Sequence, residues 1–334
     1  MANSLIWGDL PKYNDEAFTG IFESLSQNLQ IFNEASRNAI MVMPNVFSRG
    51  EFKKRSFFKS LASGGAAFRN PTVQATATPV TMSGGQEIGV KTFLSFNANP
   101  FLSEIRDNFG TNDPAEFMFL LGQITLSEAI QSIYIQIAAA SLVGAFKSTT
   151  LAASAVHDGS AGVLSVAAIN SAKKLFGDMQ KNIKVLFGRG HHPNDLIANQ
   201  ITDKIPDTGM ATIYDGLPAT LGYPFIVSDE STLADDGTSA SGDEIDWVFG
   251  LTEGAVKIEE IGVPSLTTHV SADKTNQELQ ISLEWEAIVT LKGMAFSTSA
   301  ARPGKADLLT ASNWSLAASS VKRGPGVGIK TVQG

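Results

Sequence analysis

The sequence predicts an α+β fold built on two long elements, and three observations carry that prediction. The stretch "DPAEFMFLLGQITLSEAIQSIYIQIAAASLVGAF", Asp113 to Phe146, holds only two charges after its first residue, Glu116 and Glu128. A helix of about 30 residues is roughly 45–50 Å long, more than a small compact domain is wide. The stretch "QELQISLEWEAIVTLKG" alternates Leu279, Ile281, Leu283, Trp285, Ala287, Val289 and Leu291 with Gln280, Ser282, Glu284, Glu286, Thr290 and Lys292, and only Ile288 breaks the pattern. A strand of about 14 residues also spans roughly 45 Å. Between the two, helical and strand patterns alternate. The expectation is a long helix packed along a long ribbon in an extended, flat molecule.

Residues 1 to 45 mix apolar clusters with Asn, Ser and Pro, and include Trp7 and the helical pattern "AFTGIFESLSQNLQIFNEAS". This reads as an arm. Next come the basic aromatic run "RGEFKKRSFFK" and the Ala/Thr-rich "TVQATATPVTMSGGQEIGVKTFLSF". Its Gly84-Gly85 pair suits a tight turn between two extended segments. A lone hairpin of this composition is not stable in water, so a surface must support it.

The long helix has a legible start. Asp113 can accept from free first-turn N–H groups, Pro114 suits the first helical position, and Glu116 can reach back to the cap. At 100° per residue Phe119, Leu126, Ile130, Ile133 and Ile137 form one stripe, with Gly122, Ala129, Ala140 and Gly144 beside it. Opposite lie two polar rows, Gln123/Ser127/Gln131 and Glu128/Ser132/Gln136. A carboxylate near a bilayer centre costs on the order of 2.5–3.5 kcal/mol even on the lenient scale, so a spine helix is expected here and not a membrane span.

Beyond the helix, "VLSVAAINSAKKLFGDMQK" reads as an amphipathic helix and "IKVLF" as a buried strand. "HHPNDLIANQ" reads as a helix opening at Pro193, and "LGYPFIVSD", "IDWVFGL" and "AVKIEEIGV" as strands. "DESTLADDGTSASGDE" reads as an acidic surface loop.

With 334 residues, 43% hydrophobic content and a net charge of −8, the chain can bury a sizeable core in two or more lobes. It has no cysteine, hence neither disulfides nor thiolate ligands, which fits an intracellular origin. Its beginning lacks the profile of a signal peptide. Residues 203–260 carry thirteen Asp or Glu against Lys204 and Lys257. The Arg49–Lys59 run has five basic residues against Glu51, and from Ala301 onward five stand against Asp307. Such a split suits head-to-tail contact between copies.

Chemistry is sparse. His191, His192 and Asp195 have a spacing that a metal site can use, but a turn and helix cap is the more economical reading and no third ligand type lies nearby in sequence. The acidic run from Asp235 to Asp246 lacks the ligand alternation of a calcium loop. Ser171-Ala172-Lys173-Lys174 fits a Ser-x-x-Lys pattern without its partner motifs, and "GPGVGIK" lacks the strand and Lys-Ser/Thr of a phosphate loop. Lys53, Lys54, Arg55 and Lys59 interleaved with Phe52, Phe57 and Phe58 could hold nucleic acid. A protein–protein contact is favoured, because this run leads into a hairpin that needs a surface. A soluble enzyme using His191, His192 and Asp195 is the competing reading from another class. No catalytic residue, cofactor or metal is expected.

The order of parts resembles the major capsid proteins of tailed bacteriophages, the Hong Kong 97 type fold. "DGLPATLGYPFIVSD" is similar to the stretch entering the central strands of such proteins, and "KADLLTASNWSLAASSVKR" looks like their common ending. The resemblance implies an N-terminal arm at 1–45, an extended β-hairpin loop at 46–105, a peripheral domain at 106–149 and 259–334 containing the spine helix and long strands, and an axial domain at 150–258. It implies self-assembly through pentamers and hexamers into an icosahedral virion shell around double-stranded DNA, assembled in the host cytoplasm. A separate scaffolding protein, a portal and decoration or cement proteins are the implied partners, with non-specific DNA contact and no membrane. The alternative is an encapsulin-type compartment holding enzyme cargo. Intersubunit contacts are expected on the basic run at Arg49, Lys53, Lys54, Arg55, Phe57 and Phe58, at Gly84 and Gly85, and at Trp7 and Trp314. The glycine-rich tail "GPGVGIKTVQG" would fray alone, so neighbouring subunits are expected to pin it.

Overall fold

Backbone contact between two helices organises the N-terminal half. The structure, a computed structural model, describes residues 10–43, 52–58, 84–101, 103, 113–204, 222–238, 244–271 and 277–333. The arm helix α1 (Asn14–Ala35) lies against the start of the spine. The spine runs as α2 (Pro114–Leu121), a π-helical turn at Gly122–Leu126, and α3 (Ser127–Lys147). A Cβ on Gly20 would sit 2.3 Å from the Phe119 carbonyl oxygen, and one on Gly122 would sit 2.0 Å from that of Ala17. The two glycines therefore let the helices touch main chain to main chain, which offsets their weak helix propensity.

The spine starts where its cap chemistry places it. Asp113 accepts a hydrogen bond from the Ala115 N–H at 3.0 Å, with Pro114 in the first turn. The single apolar stripe, however, describes only the first half. From Ile137 to Phe146 every residue is buried, Ser141 included, because neighbours cover the helix on all sides. The polar rows are covered only in part: Ser127 is buried with its hydroxyl 3.1 Å from that of Ser24, while Glu128 and Ser132 stay exposed. Ala115–Lys147 is long and apolar enough to cross a bilayer, yet 67% of its most apolar window is buried by its own chain.

The strands are β1 (Ile40–Met43), β2 (Phe52–Phe58), β3 (Gly84–Ala98), β4 (Val156–Asp158), β5 (Ile183–Gly188), β6 (Phe225–Val227), β7 (Ala234–Thr238), β8 (Glu244–Thr252), β9 (Val256–Ser271), β10 (Glu278–Leu291), β11 (Met294–Phe296), β12 (Trp314–Leu316) and β13 (Gly326–Val332). Among the described residues they form two sheets. The first has the order β1-β9-β10-β3-β11-β12, with β2 added to β3. The second has the order β4-β13-β8-β5-β6, with β7 added to β8.

Strand β10 is the predicted long strand, central in the first sheet, antiparallel to β9 and to β3. Leu279, Ile281, Leu283 and Trp285 are buried, while Gln280 and Glu284 face out. At Ala287, Ile288 and Val289 burial becomes continuous, so the break at Ile288 marks where both faces are covered. The remaining helices are α4 (Thr149–Ser154), α5 (Val166–Leu175), α6 (His192–Lys204) and α7 (Lys305–Leu309). One core runs through the spine and both sheets, and a second, around Ile169, Phe176, Leu186, Val248 and Ile329, lies beneath α5.

Three sequence expectations change. Gly84 and Gly85 are not a turn. They open β3 and pair with Phe58 and Phe57 of β2. What requires glycine at 85 is close approach, since a Cβ there would lie 2.7 Å from the Phe57 ring and 2.8 Å from the Ala317 carbonyl oxygen. The surface that the hairpin needs is supplied by its own chain, because Val90 to Ala98 of β3 pair with β10. Residues 259–334 do not stay together either. Strand β13 crosses to the second sheet and pairs with β4 and β8, so the glycine-rich tail is pinned by its own subunit. Finally, Ala234–Thr238 of the acidic loop forms the edge strand β7.

Candidate functional site

The basic run predicted for contact between copies sits mostly on the β2–β3 ribbon. Alternation along β2 gives its cations different surroundings. Lys53 forms an ion pair with Glu259 of β9 within its own chain, whereas Lys54 and Arg55 are exposed. Phe57 is half-buried against Gly85, and the Gly293 N–H donates to Glu87 Oε1 at 2.8 Å. These contacts clamp the base of the ribbon onto the β11–β12 region. Phe58 is described by its backbone pairing alone. Arg49 and Trp7 lie outside the described residues.

Trp314 does not join that surface. It is 3% exposed, its indole N–H donates to the Leu308 carbonyl at 2.8 Å, and it meets Phe296 edge-on at 4.8 Å. Its polar and apolar parts are satisfied inside the subunit, which removes it from the candidates for contact between copies.

Sequence reasoning missed an exposed aromatic on β3. Phe93 is 45% exposed, with Lys91 Nζ 5.0 Å and the Arg302 guanidinium 5.4 Å from its ring centroid. Lys91 also pairs with Glu286. Alternation along β3 would have placed Phe93 outward, but the arrival of Arg302 from a distant segment was not readable.

A second polar constellation lies at the start of α6. The Gly188 position is occupied on the Cβ side by His192 and Phe225, so absence of a side chain there lets the His192 ring lie flush against β5. His192 is fully buried, and neither ring nitrogen has a hydrogen-bond partner among the described residues. Burial, with His191 and Arg189 nearby, lowers its pKa to about 3, which keeps the imidazole neutral. Asp246 of β8 is also fully buried, and Arg189 donates to its Oδ1 at 2.9 Å. Its pKa is raised by desolvation, a push that Arg189 opposes. Asp195 is raised by desolvation in the same way. The sequence placed His191, His192 and Asp195 in a cap. The fold instead gathers them around the buried Asp246, which comes from a strand some fifty residues on.

These features are an exposed basic pair on the ribbon, Lys54 and Arg55, and a buried polar cluster at the head of α6. Across residues 9–328 the chain matches the profile of the Gp13-like family, described as major capsid protein 13-like. The chain belongs to the Gp13-like major capsid protein family. A search of curated proteins returns no match. Among solved structures, the capsid of Ralstonia phage GP4 is 10% identical over 89% of this chain and 87% of that one, with a TM-score of 0.52. The Cyanophage Pam1 capsid asymmetric unit is 13% identical over 85% and 86%, with a TM-score of 0.48. A Mycobacterium phage Adephagia chain is 12% identical over 89% of each, with a TM-score of 0.46. At such identities the shared property is the fold, which is the Hong Kong 97-like capsid fold. The subunit is thus a structural protein of the virion capsid that associates with copies of itself into a shell, and the cargo-compartment alternative is not favoured.

Proposed function

We propose that the subunit assembles through pentamers and hexamers into an icosahedral shell around double-stranded DNA. The spine helix and first sheet serve as the peripheral part, and the second sheet with α5 and α6 as the axial part at the capsomer centre. The carrying observation is the ribbon. Strand β2 ends at Phe58 and β3 begins at Gly84, its paired position, so both strands end together at one anchored end of the ribbon. Anchored roots and exposed Lys54 and Arg55 support a reading in which the ribbon meets a neighbouring subunit, with acidic surface of the neighbour facing the cations. Repetition under closed symmetry then makes many modest contacts into a stable shell.

On this reading a separate scaffolding protein directs assembly, a portal occupies one vertex, decoration proteins bind outside, and DNA contact is non-specific. No catalytic step belongs to the subunit. Replacing residues 59–83 by a short Gly/Ser linker, and keeping β3 intact, tests the reading by electron microscopy of protein produced with its scaffold. A folded subunit that yields no closed shells is expected. Shells of normal size and stability from that variant would overturn the assignment of the ribbon to contact between subunits.

A further inference from the structure

We propose that the polar cluster at the head of α6 is a zinc site formed by His191, His192 and Asp195, with the buried Asp246 carboxylate beside it. The first three offer donor atoms that lie within 4.8 Å of one another. Asp246 Oδ2 is 3.0 Å from His191 Nε2 and 3.9 Å from His192 Nε2, and His192 Nδ1 is 3.9 Å from Asp195 Oδ2. Donors about 2.0–2.2 Å from a tetrahedral zinc stand roughly 3.4 Å from each other, close to the 3.9 Å between His192 Nδ1 and Asp195 Oδ2, whereas Asp246 faces the other ring nitrogen.

Unpaired donors are the second observation. The His191 Nε2, both nitrogens of His192, Asp195 Oδ2 and Asp246 Oδ2 are all buried without a hydrogen-bond partner among the described residues. His191 and Asp246 approach to 3.0 Å yet are not aligned as a hydrogen bond. Five unmet polar atoms converging on one place cost several kcal/mol if nothing lies between them, at about 1–3 kcal/mol each. A cation takes one lone pair from each imidazole and one from Asp195, and the second His192 nitrogen carries the ring proton on the side that faces Asp246.

The donor set selects the ion. Two imidazole nitrogens and carboxylate oxygens suit zinc, whereas magnesium and calcium favour all-oxygen shells. Asp195 supplies one negative charge to the ion, and the neighbouring Asp246 adds a second close by. Arg189, bonded to Asp246 Oδ1 at 2.9 Å and 3.8 Å from Glu244, orients the Asp246 carboxylate from behind. The Gly190 N–H, which donates to Asp229 Oδ1 at 3.1 Å, fixes the loop that carries His191.

The test uses the full chain purified without a histidine tag, stripped with chelator and dialysed, so that it does not depend on shell assembly. Titration with zinc chloride, read by calorimetry and by elemental analysis after gel filtration, should give one zinc per chain. The thermal midpoint should rise with zinc and stay put with magnesium. D195N and H191A, both at partly exposed positions, should weaken zinc binding at least tenfold while keeping the wild-type circular dichroism and the wild-type midpoint in chelator. Absence of stoichiometric zinc on the folded wild-type chain would overturn the proposal, as would unchanged zinc affinity in both variants.

Discussion

Strands β10 and β8 lie at the centres of the two sheets and bury their side chains differently. In β10, outward Gln280 and Glu284 alternate with buried Leu279, Ile281, Leu283 and Trp285. In β8, every residue from Ile245 to Thr252 is buried, among them Asp246. The first sheet has one face on the spine helix along most of its length. The second is covered on both sides, by Phe146 at the end of the spine, 5.1 Å from Phe249, and by the α5 cluster through Val248. One-sided burial leaves half of a strand free to be polar and to face solvent or another subunit. Two-sided burial forces any polar group it retains to find a partner inside.

The comparison can be broken most directly by alanine scanning of both strands with chemical denaturation. Trp247→Ala, which removes a fully buried ring stacked on Phe249, should cost about 3–5 kcal/mol. Gln280→Ala on the outward face of β10 should stay within about 0.5 kcal/mol. Similar costs at successive positions of both strands would show that the contrast in burial does not control stability. A second cut is at Gly144, near the spine's junction with the second sheet, where an added Cβ would lie 2.0 Å from the Leu308 carbonyl oxygen. Gly144→Ala should destabilise by about 1–3 kcal/mol, because backbone must move; calorimetry that shows a gain from better helix propensity would mean α7 yields freely.

Glu260 sharpens the comparison from the side of the first sheet. It is buried in β9, facing Tyr134 of the spine and sharing a cavity with Glu23 of α1, and desolvation raises its pKa above the ordinary 4.5. A carboxyl whose folded pKa is raised stabilises the fold while protonated and loses that contribution as pH climbs through the folded value. Glu260→Gln should therefore be more stable than the wild type at neutral pH, with the gap closing toward pH 4. A gap that is constant with pH would show that folding does not shift the Glu260 pKa. Smallest in stability terms are Lys54→Ser and Arg55→Ser, which should leave the midpoint within about 0.5 kcal/mol while lowering the yield of shells; unchanged shell yield would place the contact elsewhere.

Much of the frame was readable from particular residues. Asp113-Pro114 fixed the start of the spine, since a cap acts within its own turn. The alternation from Leu279 to Leu291 fixed β10, since a half-buried strand must present one residue in two to the core. The ends of that legibility are equally specific. The stripe from Phe119 to Ile137 could not reveal that the helix is buried all round beyond it, and Gly84-Gly85 matched a turn although it is a close approach between strands. Lys53 and Lys54 looked alike as neighbours in one basic run, and only Glu259, two hundred residues away, separates them. The His-His-Pro-Asn-Asp run was visible, but Asp246 and Arg189 were not visible as its partners.

By itself the sequence determined the α+β class, the length and polarity of the spine and the long strand, and the uneven distribution of charge. These follow from period and capping, which are local. Tertiary structure alone decided that β13 crosses to the second sheet, that Trp314 belongs to the subunit's own core, and that His191, His192 and Asp195 meet Asp246. Those depend on contacts between segments far apart in the chain, where packing and the need to satisfy buried polar groups choose among partners that local pattern leaves equivalent.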